Sequence, residues 1–282
     1  MAKSFYEVKK QMDGVYSLTN CVTCMYLVIG REKALVFDTG YGFADCLPEI
    51  RKLTDKPLTV VDSHGHFDHI SGNYLFGCPV YISEKDMETV GRHSSPEYRK
   101  IPIESISKFE KLVFWKKWIP KDLDREEYIN QEPFGDYIFI SEGEVFDLGG
   151  MTLEVVEMPG HTPGSIALYC KEKRLMLVSD ATNPMVFLFL PESAKLSVYI
   201  DSVKHALQKD FDYFLTGHIP KLLPKSDMET YLRVAENMDW ENGKSITHHM
   251  RPGVEIRQCT EKGKKPGKHQ PYITISRDKI DR

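Results

Sequence analysis

The chain has 282 residues, 41% of them apolar and 28% charged, with 19 Gly and 16 Pro; this is ordinary globular usage and excludes a disordered, collagenous or low-complexity protein. A formal net charge of −4 and a pI near 6.2 do not suit a protein that grips nucleic acid through a basic surface. The longest apolar runs, Cys24–Ile29 and Met185–Leu190, fall far short of the roughly 20 residues a membrane helix needs, and the first ten residues lack the apolar core of a secretory signal, so a cytoplasmic protein with no membrane partner is expected.

Three apolar or β-branched runs, Val15–Asn20, Met25–Ile29 and Ala34–Asp38, are split by polar or glycine-containing breaks and predict a β-meander. Asp38-Thr39-Gly40 ends the third run as a turn, and Ala44–Leu53 reads as a short helix. Leu58–Asp62 is a buried strand leading into Ser63-His64-Gly65-His66-Phe67-Asp68-His69, and Pro79–Ile82 is another strand. Residues 84–131 are densely and evenly charged, the texture of a solvated helical insertion. Strands resume at Tyr137–Ile140, Glu144–Phe146, Thr152–Glu157, Ile166–Cys170 and Arg174–Ser179. Helices over Glu192–Gln208 and Asp227–Asn242 flank one more strand, Tyr213–Thr216. In the tail, 244–282, Val254–Cys259 and Tyr272–Ser276 form a candidate hairpin over the basic turn 262–268. The order suits two packed sheets with helices outside, an α+β class. Cys21 and Cys24 form a C-x-x-C, but no second pair completes a tetrahedral site, so the six cysteines read as reduced, structural thiols.

The chemistry concentrates in His64-x-His66-x-Asp68-His69, four potential metal ligands within six positions at the end of an apolar strand. Further donors follow other predicted strands: His161 in Gly160-His161-Thr162-Pro163-Gly164, Asp180 after Val178-Ser179, and His218 after Gly217. A glycine beside a strand-end ligand lets the backbone turn tightly while the side chain stays fixed. Imidazole and carboxylate donors suit zinc, and also iron or manganese.

These elements, with Asp38-Thr39-Gly40, stand in the order found in the metallo-β-lactamase superfamily, which the chain resembles over roughly residues 15 to 240. The resemblance implies a four-layer αββα sandwich with the helical insertion at 84–131, as a single domain. It implies two divalent metal ions, first of all zinc. His64, His66 and His161 would hold one, Asp68, His69 and His218 the other, and Asp180 would bridge them. Asp38 would support a ligand from behind. The implied activity is a dinuclear hydrolase in which a metal-bridging hydroxide attacks an ester, thioester, lactone or related small molecule, with Asp68 handling the proton. Glyoxalase II-type and lactonase branches come nearest. Lactonases carry a Tyr three residues after the bridging Asp, where this chain has Asn183, and the tail after Trp240 is short for a glyoxalase II substrate domain. An iron oxidoreductase on the same ligands, a phosphodiesterase and a non-catalytic metal-bound interaction module remain as alternatives. A homodimer is compatible with all of them.

Two regions are candidates for the substrate pocket. Trp115 and Trp118 lie in the insertion, and Phe187 and Phe189 follow Asp180 together with Asn183. The pair His248-His249 reads as surface or fold residues, since adjacent side chains seldom chelate one ion.

Overall fold

The computed structural model describes residues 4–112, 118–264 and 270–281. The meander has one strand more than the apolar runs predict. β1 (Glu7–Met12) is largely polar and exposed, so it carries no burial signal and is held by its pairing with β2 (Val15–Asn20). β3 (Thr23–Ile29) and β4 (Ala34–Phe37) complete the antiparallel part of the first sheet. β5 (Leu58–Val61), β6 (Val80–Ile82) and β7 (Tyr137–Phe139) extend it in parallel to seven strands. The later strands are β8 (Val145–Asp147), β9 (Thr152–Glu157), β10 (Ile166–Cys170), β11 (Leu175–Ser179), β12 (Phe187–Leu188), β13 (Tyr213–Thr216), β14 (Leu223–Pro224), β15 (Lys244–Ile246), β16 (Ile256–Cys259) and β17 (Ile273–Ser276). Six of them form a second sheet in the order β14-β13-β11-β10-β9-β8.

Side-chain alternation along β3 shows how the layers are built. Cys24, Tyr26 and Val28 point between the sheets, where they meet Leu153, Leu168, Leu177 and Leu215. Met25 and Leu27 point to the other face and pack with Ile50 of α1 (Leu47–Arg51). Because both faces are covered, the strand reads as a continuous apolar run. Cys24 is therefore a core thiol, while Cys21 lies in the preceding turn at φ +55°. The outer face of the second sheet carries Val156, Met176 and Phe214 against Tyr199 and Val203 of α6 and Met228 and Tyr231 of α7. These helices span Leu196–Leu207 and Lys225–Glu236, each shorter than its apolar pattern suggests. The architecture is an αββα sandwich.

Between α1 and the insertion lies α2 (Phe67–Ile70), a single turn that carries Asp68 and His69. The insertion supplies α3 (Met87–His93), α4 (Pro96–Leu112) and α5 (Arg125–Asn130). Trp115 lies outside the described residues. Trp118 corrects an expectation: it is buried with Ile103, Ile106 and Tyr128 against Tyr41 and Phe43, and it does not line the cavity described below. Its place is set by the backbone. Glu110 Oε1 accepts from the Trp118 and Ile119 amides at 2.5 and 2.9 Å, and Asn20 Nδ2 donates to the Trp118 carbonyl at 3.2 Å. The insertion thus braces the turn that follows Asp38.

The tail also exceeds its reading. β16 and β17 pair antiparallel as a hairpin, but β15 joins one side and β12 joins the other, giving a third, four-stranded sheet. Most of the basic turn at 262–268 lies outside the described residues. Among those described, no helix is long and apolar enough to cross a membrane.

Candidate metal centre

The candidate ligands come from loops that leave neighbouring strands at one edge of the sandwich. Asp38 follows β4, His64 to His69 follow β5, His161 follows β9, Asp180 follows β11 and His218 follows β13. Two of these exits are strained. Asp38 has φ +66° and Ser179 φ +46°, left-handed values that non-glycine residues adopt at a cost of order 1–3 kcal/mol. Gly217 is dictated by space: a Cβ there would lie 2.5 Å from Asp180 Oδ1 and 2.8 Å from His69 Cε1. The sheets are stitched beside it, where the buried Tyr26 hydroxyl donates to the Thr216 carbonyl at 2.6 Å.

The inward-facing atoms converge. His66 Nδ1 lies 3.0 Å from both His64 Nε2 and His161 Nε2. His218 Nε2 is 2.9 Å from Asp180 Oδ2 and 3.7 Å from Asp68 Oδ2. His69 Nε2 is 3.5 Å from Asp68 Oδ2 and 3.7 Å from Asp180 Oδ2. The donors group as His64, His66 and His161, as Asp68, His69 and His218, and as His64, His69 and Asp180, with ligand atoms in each group within 4.8 Å of one another. His64 appears in two groups, so the clusters adjoin.

The outward nitrogens are all occupied, which orients the rings. His69 Nδ1–H donates to Asp38 Oδ2 at 2.8 Å, and the same carboxylate accepts from the Ser63 amide and the Ser179 hydroxyl, each at 2.7 Å. His161 Nδ1–H donates to the Phe187 carbonyl and His218 Nδ1–H to the Val22 carbonyl, both at 2.9 Å. His64 Nδ1 pairs with the Ser63 hydroxyl at 2.8 Å, and His66 Nε2–H donates to Glu192 Oε1 at 2.9 Å. The carboxylate and carbonyl partners place a proton on the outward nitrogen of His66, His69, His161 and His218, while the Ser63 hydroxyl can donate to or accept from His64.

Electrostatics divide the cluster. Burial pushes His161 down to about 4 and His64 well below the usual imidazole range, so both are neutral near pH 7. At His69 and His218 burial acts in the same direction, but carboxylates outweigh it. Asp68 and Asp38 raise His69, and Asp180 raises His218 to about 9. Burial opposes the charge of Asp68 and Asp180, yet the imidazoles hold both carboxylates below their ordinary range. A divalent cation fits this donor set. His69 Nε2 and Asp180 Oδ1 are buried at its centre without a hydrogen-bond partner, an arrangement that is costly unless an ion fills it.

His66, Asp68, His161, Asp180 and His218 of the cluster form the floor of a cavity of about 480 Å³, with His64 and His69 behind them. Asn183, Phe187 and Phe189 line it, together with Met185 and Leu190 from the same segment. Val22, Ile101, Ile219 and Met250 arrive from four other parts of the chain. His248, half-buried, and His249, exposed, also line the cavity, so they are surface residues at its rim. They stack on each other at 4.6 Å, and His248 meets Phe189 edge-on. Their position depends on β15 and the third sheet, which local sequence does not announce. His93 at the cavity and Glu192 behind His66 were also not singled out by sequence. Both lack a neighbouring motif, so their spacing carried no signal.

Comparison with known proteins agrees with the geometry. The chain is 27% identical over 214 residues to the acyl-coenzyme A thioesterase MBLAC2 of Bos taurus, covering 71% of each chain. The Homo sapiens protein of that name is 26% identical over the same length. Among solved structures, the stereoselective inverting sec-alkylsulfatase Pisa1 from Pseudomonas sp. superposes with a TM-score of 0.61 at 14% identity, over 82% of this chain and 42% of that one. A metallo-beta-lactamase from Pontibacter korlensis gives 0.55 at 18% identity, over 82% of this chain and 99% of that one. The metallo-beta-lactamase superfamily profile matches residues 18–218. The chain belongs to the metallo-beta-lactamase superfamily and is a hydrolase of that superfamily.

Proposed function

We propose that the protein is a dinuclear metal-dependent hydrolase of small acyl thioesters or esters whose acyl group is apolar. The observation that carries this reading is the cavity itself: a floor of metal-ligand type donors beneath walls of Phe187, Phe189, Leu190 and Met250. The thioesterase relatives favour a thioester within the broader ester, thioester and lactone class.

In this reading His64, His66 and His161 would hold one ion and Asp68, His69 and His218 a second, with Asp180 lying 3.7 Å from His161 and 2.9 Å from His218. Zinc suits the imidazole and carboxylate set. Ions held there would lower the pKa of a bound water toward neutrality and would polarise the substrate carbonyl. The chain's own residues do the rest. Asp68 faces the cavity and receives a hydrogen bond from the Thr23 hydroxyl at 3.3 Å, which places its carboxylate to orient the attacking water and take up its proton. The scissile C–S or C–O bond breaks as the new C–O bond forms, and the proton passes to the departing thiol or alcohol. Asn183 Oδ1 accepts from the Met185 amide at 2.7 Å, which leaves its amide NH2 as a donor toward the carbonyl oxygen. The apolar walls receive the acyl chain and exclude water.

The test is a panel of acyl thioesters, esters, lactones and phosphodiesters on protein of measured metal content. Thioesters turned over best, with activity lost to a chelator and restored by zinc, is the expected result. Turnover of phosphodiesters alone would move the protein to another branch of the superfamily.

A further inference from the structure

A cluster of titratable side chains lies directly behind one candidate ligand and is not used by the chemistry above. Glu192 sits just before α6, its side chain only 4% exposed. Its Oε1 accepts from His66 Nε2–H at 2.9 Å and from His93 Nε2–H at 3.1 Å. Its Oε2 accepts from Arg92 Nη1 at 2.6 Å. His93 completes a ring of contacts: its Nδ1 accepts from the Phe67 amide at 3.3 Å, the residue next to His66. The His66 and His93 rings also stack at 4.3 Å.

His66, His93 and Glu192 would by composition suit a third cation. The hydrogen bonds argue against one. Both imidazole Nε2 atoms already donate to Oε1, and a guanidinium occupies Oε2, so a cation there would displace protons and meet Arg92. The arrangement does something else. A carboxylate on Nε2 fixes the His66 tautomer with its proton outward and leaves the Nδ1 lone pair facing His64 and His161. Without that anchor the ring is free to flip or to carry its proton on Nδ1, and the ligand is lost. His93 pins the backbone of the same loop, so ring and main chain are both held.

We propose that Glu192, supported by Arg92 and His93, is a positioning residue that sets the tautomer and orientation of His66 for metal binding. The inference rests on the metal-centre reading above and extends it to residues of the insertion. It gives α3 a purpose beyond packing: Arg92 and His93 are its last two residues, and they join the insertion to the ligand loop. Glu192 also lies two residues beyond Leu190, so one short segment contributes both to the acyl wall and to the support of the ligand.

The test combines spectroscopy with metal binding. Long-range 15N correlation spectra of the wild-type protein should show His66 as the Nε2–H tautomer, free and zinc-loaded; the Nδ1–H form in the free protein overturns the proposal. Glu192→Ala should weaken zinc affinity by about 10- to 100-fold, the usual effect of removing such a partner. Glu192→Gln keeps an acceptor for both imidazoles and should recover most of that loss, which a merely structural role would not predict. Zinc affinity of Glu192→Ala within about threefold of wild type overturns the proposal, and so does a third zinc equivalent that this variant loses. Should Glu192→Ala fail to fold, the wild-type spectra and Glu192→Gln still decide. Wild-type protein that binds no zinc at all refutes the metal-centre reading itself, a different result from normal zinc binding by the variant.

Discussion

The floor and the walls of the cavity differ in how they are made. The floor is drawn from short motifs at the ends of neighbouring strands, and every imidazole in it is held from behind by a hydrogen bond. The walls combine one apolar segment, 185–190, with isolated residues such as Val22, Ile101, Ile219 and Met250 from distant parts of the chain. Val22, Met185 and Phe187 stay substantially exposed, whereas His64, His66, His69 and His161 are almost fully buried. A floor proposed to hold ions needs fixed distances, whereas a wall proposed to receive a chain of methylenes is not similarly constrained. On the proposed reading, reaction type belongs to the floor and substrate choice to the walls.

That division can be broken in order of expected effect. Asp68→Ala should lower kcat about 10³-fold or more on every substrate, since a ligand and a proton acceptor go together. Steady-state kinetics on metal-quantified variant protein checks it, and unchanged kcat would remove Asp68 from the mechanism. Gly217→Ala adds a methyl where Asp180 and His69 leave none, and should cost about 10²-fold in kcat with reduced metal content. Normal zinc stoichiometry and normal rate in that variant would show that the floor yields more readily than its packing implies. Phe187→Ala should act on the walls alone. Here kcat/KM for long-chain acyl substrates falls about tenfold, the scale of one lost apolar contact surface, while short-chain substrates and metal content are unaffected. An equal loss across chain lengths would place Phe187 in the reaction and not in recognition.

The same contrast explains what the sequence revealed. The clustering of His64, His66, Asp68 and His69 was legible because donors at the end of one strand are close in sequence, and that of His161, Asp180 and His218 because each stands beside a strand end. The sandwich was legible from strands buried on both faces, as in Thr23–Ile29. Glu192 and His93 were not legible, because a lone Glu or His has no pattern until the fold brings it behind His66. The place of the His248-His249 pair at the cavity rim was not legible because it follows the third sheet, whose partner strand Phe187–Leu188 is only two residues long. Trp118 misled in the opposite sense. An aromatic residue in a charged insertion suggests a binding wall, but its backbone is tied to Glu110 and Asn20 and its ring fills the core beneath the turn at Tyr41.

The central claim is that the buried donors form a metal-dependent centre serving an apolar acyl pocket. Its most direct test is hydrolysis of an acyl-coenzyme A series of increasing chain length by protein stripped of metal and then titrated with zinc. The stripped protein should show no turnover, recovery should saturate at two zinc per chain, and kcat/KM should rise with chain length until the cavity is full. Metal-free protein that hydrolyses the series at the untreated rate would contradict it.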